Sequence, residues 1–110
     1  MVEYTLALDN IFGSLADATR RDILRRVAKE ELSVSEIAKP YDLTFAAVSK
    51  HLKVLESASL IIKRRSGKEQ MVSLSPQALA DAVEYLRWYR QFMGVRFDSL
   101  ENYLSKEVLK

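Results

Sequence analysis

The sequence contains no cysteine, one histidine, and few glycines and prolines. Without thiols the chain can form neither a disulfide framework nor a thiolate metal site, so we expect an intracellular, cytoplasmic protein. A single histidine excludes metal sites and catalytic pairs that need two imidazoles. A Gly-rich phosphate loop, a His-Glu-x-x-His motif and a nucleophile elbow are also missing. We therefore expect that the protein is not an enzyme and that it binds neither a metal ion nor a cofactor.

Long apolar runs are absent as well. No stretch approaches the length that spans a bilayer, and residues 1–20 lack the basic start and unbroken apolar core of a signal peptide, so no membrane partner is expected. With 110 residues, of which 48% are hydrophobic, the chain forms one domain over residues 1–110. Domains of this size bury only about two-thirds of their unfolded surface. Apolar surface left over favours pairing with a second chain.

Spacing and caps predict two amphipathic helices first. The apolar residues of about residues 4–15 recur every three or four positions. Asp17 can cap a second helix over about residues 18–29. Arg20 and Arg21 lie near Asp17, Asp22 and Glu30 in the sequence, which favours surface ion pairs of little energetic weight over a role in binding.

A helix-turn-helix is predicted over about residues 33–58. Ser33 and Glu36 form a capping box for a short helix, which must end before Pro40. Thr44 caps the helix that follows the turn. One narrow apolar stripe on this second helix is expected to face the core; it consists of Val48, Leu52 and Leu55.

A β-hairpin is predicted directly after this helix, over about residues 60–74. Two β-branched, alternating segments flank Ser66, Gly67 and Lys68, which suit a tight turn. A hairpin in this position is a wing, and four of its residues are expected to meet the phosphate backbone. They are Lys63, Arg64, Arg65 and Lys68.

The final helix is predicted to be long, over about residues 76–105, because Ser75 and Pro76 start it and apolar spacing continues to its end. Gly94 marks either a bend or a close helix approach. So much apolar surface favours helix pairing between two chains. The expected dimer contacts on the first and last helices are Leu8, Ile11, Phe12, Leu86, Tyr89, Met93, Phe97, Leu100 and Leu104.

Positive charge is concentrated in one stretch. Residues 45–70 hold six Lys and Arg against two Asp and Glu, whereas residues 1–44 hold six against eight and residues 71–110 five against five. A local cluster of cations is the electrostatic footprint of a polyanion partner, because neutralised phosphates release counterions. A solvated surface without a partner is the alternative.

The second helix of the helix-turn-helix supplies the expected readout of duplex DNA. At 100° per residue, an inward Val48 places Ala46, Lys50, Lys53 and Ser57 on the opposite side, toward the major groove. Lysines reach phosphates or guanine acceptors, hydroxyls bond phosphates or base edges, and alanines allow close approach to the bases. The expected contacts are Thr44, Ala46, Ala47, Ser49, Lys50, His51 and Lys53; for His51, a packing role stays open beside a phosphate contact.

Two alternatives to a simple DNA-binding regulator stay open. A winged helix can be a protein-interaction module that never touches DNA, which would tolerate salt that a phosphate partner does not. The second alternative is a repressor gated by a small molecule at the dimer seam, lined by the aromatic residues of the last helix. For those aromatics, Tyr85, Trp88, Tyr89 and Phe92, we favour core packing over a ligand pocket.

Three segments carry a resemblance to a known family. Residues 12–24, residues 31–38 and the run Ala47 to Leu55, with its Val-Ser-x-His-Leu-x-x-Leu pattern, occur in the order found in the ArsR/SmtB family of winged helix-turn-helix repressors. The chain resembles that family over about residues 8–75. Ala18 replaces a proline that many relatives have, which affects only helix initiation.

The resemblance implies a homodimeric repressor, paired through its first and last helices, that leaves its operator when its dimer geometry changes. Metal-responsive relatives carry Cys-Val-Cys where this chain has Ser33, Val34 and Ser35, and serine is a poor ligand for soft metals. On the last helix, Asp81 and Glu84 without a histidine are insufficient for zinc. The chain therefore resembles the group of this family that lacks a metal site.

Overall fold

The fold is mainly helical with a small antiparallel sheet, as predicted. The computed structural model describes residues 2–92 and 100–104. Residues 100–104 are helical; Met93, Gly94 and Phe97, which the sequence analysis singled out, lie outside the described residues. The elements in chain order are α1 (Val2–Ser14), α2 (Ala18–Lys29), β1 (Leu32–Ser33), α3 (Val34–Ala38), α4 (Phe45–Ser57), β2 (Ile61–Ser66), β3 (Glu69–Leu74) and α5 (Pro76–Phe92).

The predicted helix caps are confirmed. The Asp17 carboxylate accepts a hydrogen bond from the backbone N–H of Arg20 at 3.0 Å. In the capping box, the Glu36 N–H donates to Ser33 Oγ at 3.1 Å and the Ser33 N–H donates to Glu36 Oε1 at 2.9 Å. Thr44 Oγ1 accepts from the Ala47 N–H at 3.1 Å. These bonds satisfy amide groups that a helix start leaves unpaired and so fix where α2, α3 and α4 begin.

The core is organised around α4. Its predicted stripe is buried, since Val48, Leu52 and Leu55 are at most 1% exposed. They belong to one apolar cluster with buried residues of α2, α3 and the sheet. Burial of each such side chain contributes roughly 1.5–3 kcal/mol. The stripe therefore fixes which face of α4 points outward.

Two residues predicted for the dimer interface are part of the protomer's own interior. Leu8 and Ile11 are only 7% and 2% exposed. The reason is that α1 packs against α4 and α5 of the same chain, so the inner face of α1 is covered within the protomer. Little of either side chain is left for a partner, and the predicted interface has to rest on the other residues.

The sheet has three strands in the order β1-β3-β2, all antiparallel. The predicted hairpin is confirmed, with β2 one residue further along the chain than expected. Its two-residue turn begins at Gly67, whose φ of 63° is the left-handed conformation that glycine adopts without strain. The short strand β1 was not predicted, because two residues are too few to show a strand period. We call β2, β3 and their turn the wing.

We expect that Leu52→Ala lowers the free energy of unfolding by about 2–5 kcal/mol, because it opens a cavity beneath α4. Val54→Ala on the same helix is the control, since Val54 is 41% exposed and should cost about 0.5 kcal/mol or less. Urea denaturation followed by circular dichroism measures both. Equal losses for the two variants would contradict the assignment of the buried stripe.

We also expect the caps to make folding stability fall in acid. The backbone N–H of Arg20 lowers the pKa of Asp17, and hydrogen bonds from Ser33 lower the pKa of Glu36. A lowered folded pKa stabilises the fold above the ordinary carboxyl pKa of about 4, and this stability is lost as the pH falls through the folded pKa.

The double variant Asp17→Asn/Glu36→Gln keeps both cap hydrogen bonds but removes the two titrating groups. Between pH 7 and pH 3 its melting temperature should therefore fall less than that of the wild type, as measured by thermal unfolding. An identical fall in both proteins would show that the caps do not carry this pH dependence.

Candidate nucleic-acid interface

The outward face of α4 is exposed, and Lys50 and Lys53 on it border a concavity of about 540 Å³ that Asp9, Asn10 and Gly13 of α1 also line. Ala46, Lys50 and Lys53 are exposed, opposite the buried stripe, and Thr44 is exposed at the start of the helix. Ala47 and Ser49 are partly exposed at its flanks. The structure thus brings the predicted α4 residues together on one side of the helix, with the exception of His51.

His51 lies on the side of α4 that faces α2. Its Nδ1 is 3.4 Å from Arg20 Nη1 and 3.9 Å from Asp17 Oδ2, and its side chain is about 21% exposed. A neutral imidazole can accept from the guanidinium at Nδ1. This geometry favours the packing role for His51 over a phosphate contact.

The expected ion pairs of Arg20 and Arg21 are wrong. Arg20 Nε donates to the carbonyl of Ser14 at 2.7 Å, and Arg21 Nη1 donates to the carbonyl of Leu15 at 2.8 Å. A helix leaves its last carbonyls without partners, and positive groups are favoured there. Both arginines therefore tie the end of α1 to the start of α2.

A clamp that sequence reasoning missed fixes the turn of the helix-turn-helix. Arg26 donates to the carbonyls of Ile37 and Glu36 at 2.8 and 2.9 Å, and its guanidinium lies 5.4 Å from the centre of the Tyr41 ring. The Tyr41 hydroxyl donates to Asp22 Oδ2 at 2.6 Å. Burial and this hydrogen bond raise the pKa of Tyr41, so the hydroxyl stays protonated. The end of α3 and the turn before α4 are thereby held on α2.

The four basic wing residues do not share one face, and two of them have carboxylate partners within the chain. Side chains alternate along a strand, so Lys63 and Arg64 point to opposite sides of the sheet. Lys63 Nζ is 3.3 Å from the Glu56 carboxylate of α4, and the Lys63 side chain is only 18% exposed. Arg64 pairs with Glu31 on the other side through two hydrogen bonds. Both cations are thus matched by carboxylates of the same chain.

Side chains alternate between the two faces of a strand, so the sequence alone could have predicted that Lys63 and Arg64 lie on opposite faces. The partners Glu31 and Glu56 carried no comparable signal, because they lie far from the wing in the sequence or on another element. Arg65 and Lys68 are exposed near the turn. Like Lys50 and Lys53, they have no ion pair within the part of the chain that the structure describes.

The outer side of α1 and α5 exposes large apolar side chains. Trp88, Tyr89 and Phe92 are 58%, 43% and 77% exposed, so the expectation that they form a core is wrong within one protomer. Trp88 contacts the other two rings, at centroid distances of 4.8 and 5.7 Å. Of the predicted dimer contacts on these two helices, Phe12, Leu86 and Tyr89 are exposed; Leu100 and Leu104, in the helical residues 100–104, are exposed as well. Large apolar side chains that are exposed next to one another are typical of an interaction site.

Residues 2–92 and 100–104 hold neither a membrane-spanning helix nor a cluster of metal ligands. Each helix of this part of the chain is too short or too polar to cross a bilayer. Nor do three or more acidic or histidine side chains within it come together where they could hold a metal ion.

The chain is similar to known transcriptional regulators. A helix-turn-helix domain family matches residues 15–64. The HTH-type transcriptional regulator Rv2034 of Mycobacterium tuberculosis is 42% identical over 72 residues, which cover 66% of this chain and 67% of the relative. The transcriptional repressor SdpR of Bacillus subtilis is 28% identical over 79 residues, covering 72% and 88%.

The fold has matching solved structures. A crystal structure of an ArsR family transcriptional regulator superposes with a TM-score of 0.77 and 28% identity, covering 82% of this chain and 93% of that one. The domain match covers α2, the helix-turn-helix and the first four residues of β2, which include the α4 face and the Arg26 clamp. Relatives of this kind are regulators rather than enzymes, and the chain has no cysteine. The chain therefore belongs to the ArsR/SmtB family of winged helix-turn-helix transcriptional regulators, in the group without metal-sensing cysteines.

Proposed function

We propose that the chain is a homodimeric, cytoplasmic repressor that binds a roughly palindromic duplex operator. Each α4 lies in one of two major grooves about one helical turn apart. One observation carries this proposal: one side of α4 is packed into the core, while its outward face holds Lys50 and Lys53, which have no ion pair with a described carboxylate. The relative SdpR, which is named a repressor, supports the direction of regulation.

The α4 face has the chemistry of a duplex reader. Lys50 and Lys53 reach guanine acceptors or phosphates from the exposed side of the helix, while Thr44 and Ser49 bond phosphate or base edges near its start. Ala46 and Ala47 allow the helix backbone to approach the bases closely. Thr44 Oγ1 already accepts from the Ala47 N–H, but its hydroxyl hydrogen remains available to a phosphate oxygen.

In the wing, Arg65 and Lys68 are the proposed backbone contacts. They lie at and next to the turn and have no ion pair among the described residues. Lys63 and Arg64, by contrast, already have carboxylate partners. A phosphate would have to displace those carboxylates, which costs part of the gain.

Dimerisation is proposed through the exposed apolar side of α1 and α5. Phe12 and Tyr85 bring the two helices together, with ring centroids 5.9 Å apart. A concavity of about 360 Å³ beside Leu86, Tyr89, Arg90 and Glu101 lies on this same surface. In the proposed dimer a second chain covers this concavity, so the concavity does not by itself support a repressor gated by a small molecule.

We expect Lys50→Gln and Lys53→Gln each to weaken binding to the DNA upstream of the protein's own gene about tenfold, or about 1.4 kcal/mol. Each should also reduce the slope of log affinity against log salt concentration by about one, because one phosphate contact fewer releases fewer counterions. Fluorescence anisotropy at several salt concentrations measures both quantities. Lys29→Gln, which removes an exposed charge at the far end of α2, is the control and should change neither.

Unchanged affinity and slope in both α4 variants would remove this helix from the interface. Wild-type affinity that does not depend on salt would favour the protein-interaction module instead, because contacts with phosphate are strongly weakened by salt.

We expect Leu86→Glu to convert the dimer to a monomer, because it places a charge in the apolar α5 surface. Sedimentation velocity measures the assembly. Operator affinity should fall at least tenfold with it, since two half-sites are no longer bound together. Ile62→Glu is the matched control for assembly alone, because Ile62 on the wing is also 52% exposed but lies outside the proposed dimer interface; it should sediment as the wild type does. A Leu86→Glu dimer of wild-type affinity would place the dimer contact elsewhere.

A further inference from the structure

Arg64 lies at the edge of the three-stranded part of the sheet, where β2 and β3 continue toward their turn without β1. The strand β1 pairs with β3 only at Leu32↔Val72 and Ser33↔Met71. Arg64 is the partner of Met71 in β2, so it stands at the last level that all three strands share. Beyond this level the two-stranded wing extends alone through Arg65↔Gln70 to the turn. A two-stranded hairpin is marginally stable by itself, so its direction depends on what holds it at this level.

Glu31 holds Arg64 from a fixed position. Arg64 Nε donates to Glu31 Oε2 at 2.8 Å and Arg64 Nη2 donates to Oε1, which gives a fork-shaped pair. The Glu31 backbone lies between Glu30, which ends α2, and the first residue of β1. Glu31 therefore joins two elements of the folded domain, α2 and β1, and its side chain is 29% exposed. The guanidinium lowers the pKa of Glu31, which keeps the pair charged near neutral pH.

On the opposite face of the sheet, Lys63 repeats this arrangement. Its ammonium group pairs with Glu56 of α4 at 3.3 Å. Two consecutive residues thus tie the root of the wing to α4 on one side and to the link between α2 and β1 on the other. The next residue, Arg65, is exposed and has no described ion pair.

We propose that Arg64 and Glu31 are positioning residues, which hold the wing at the angle that brings Arg65 and Lys68 to the DNA backbone. This inference rests on the proposed function. In this proposal, Lys63 and Arg64 anchor the part of the wing that lies beside β1, and the next residue, Arg65, contacts phosphate. Glu31 then determines operator affinity although its own charge repels DNA.

The salt dependence of binding separates positioning from contact. A variant that loses a phosphate contact has a shallower slope of log affinity against log salt concentration, by about one. A variant that only misdirects the wing in the free protein lowers affinity through the cost of reordering it, at the same slope. We expect Arg64→Gln and Glu31→Ala each to weaken binding about three- to tenfold with the wild-type slope. Arg65→Gln, the neighbouring control, should reduce the slope.

The charge-swapped double variant Glu31→Arg/Arg64→Glu tests the pair itself. It restores an ion pair at the same two positions, so its affinity should recover toward that of the wild type relative to either Arg64→Glu or Glu31→Arg alone. A reduced slope in Arg64→Gln beside a wild-type slope in Glu31→Ala would overturn the proposal, because Arg64 would then itself contact phosphate. Tighter binding by Glu31→Ala would overturn it too, because Glu31 would then only compete with DNA for Arg64. Unchanged affinity in both single variants would overturn it as well.

Amide hydrogen exchange in the free protein provides a test that needs no DNA. Arg64→Gln and Glu31→Ala should speed exchange at the wing amides of residues 65–70, whereas Arg65→Gln should leave it unchanged. Wild-type exchange in all three variants would contradict positioning even if DNA binding is confirmed. If DNA binding itself fails, faster exchange in the first two variants would still show that the pair orders the wing.

Discussion

The burial of one narrow stripe of α4 is the constraint on which the other features depend. Val48, Leu52 and Leu55 are covered by α2, α3 and the sheet, and three residues spaced by four and three positions cover only one side of a helix. The other side is left outward over the whole length of α4. The caps and the Arg26 clamp fix the start of α4 and the turn before it, so the outward face has a defined orientation relative to α2 and α3.

The basic residues available to DNA can be identified only after those that pair with carboxylates of the same chain are set aside. Of the six basic residues between positions 45 and 70, Lys63 and Arg64 are paired with carboxylates of the same chain. The remaining four lie on the outward side of α4 and near the end of the wing. These four are the residues proposed to contact duplex DNA, from α4 and from the wing. The paired cations give the wing its direction.

Local signals made most of the fold predictable from the sequence. Caps such as Ser33 with Glu36, the stripe of α4 and the glycine turn each act within a few residues, so the pattern along the chain contains them. The partners of Arg20, Arg26 and Arg64 depend on which elements meet in space, and no periodicity encodes that. The aromatic residues of α5 were misjudged for a related reason: helical spacing shows that one face is apolar, but not whether the same chain covers it.

In the proposed dimer, the two copies of α4 are held at a fixed spacing and together bind a duplex of defined sequence. Selection of bound duplexes from a random-sequence DNA library, followed by sequencing, tests it most directly. The account predicts enrichment of a two-fold symmetric site, with half-sites about 10 base pairs apart from centre to centre. Recovery of duplexes with no common sequence at any salt concentration would contradict sequence-specific reading, and a single unrepeated half-site would contradict the paired arrangement.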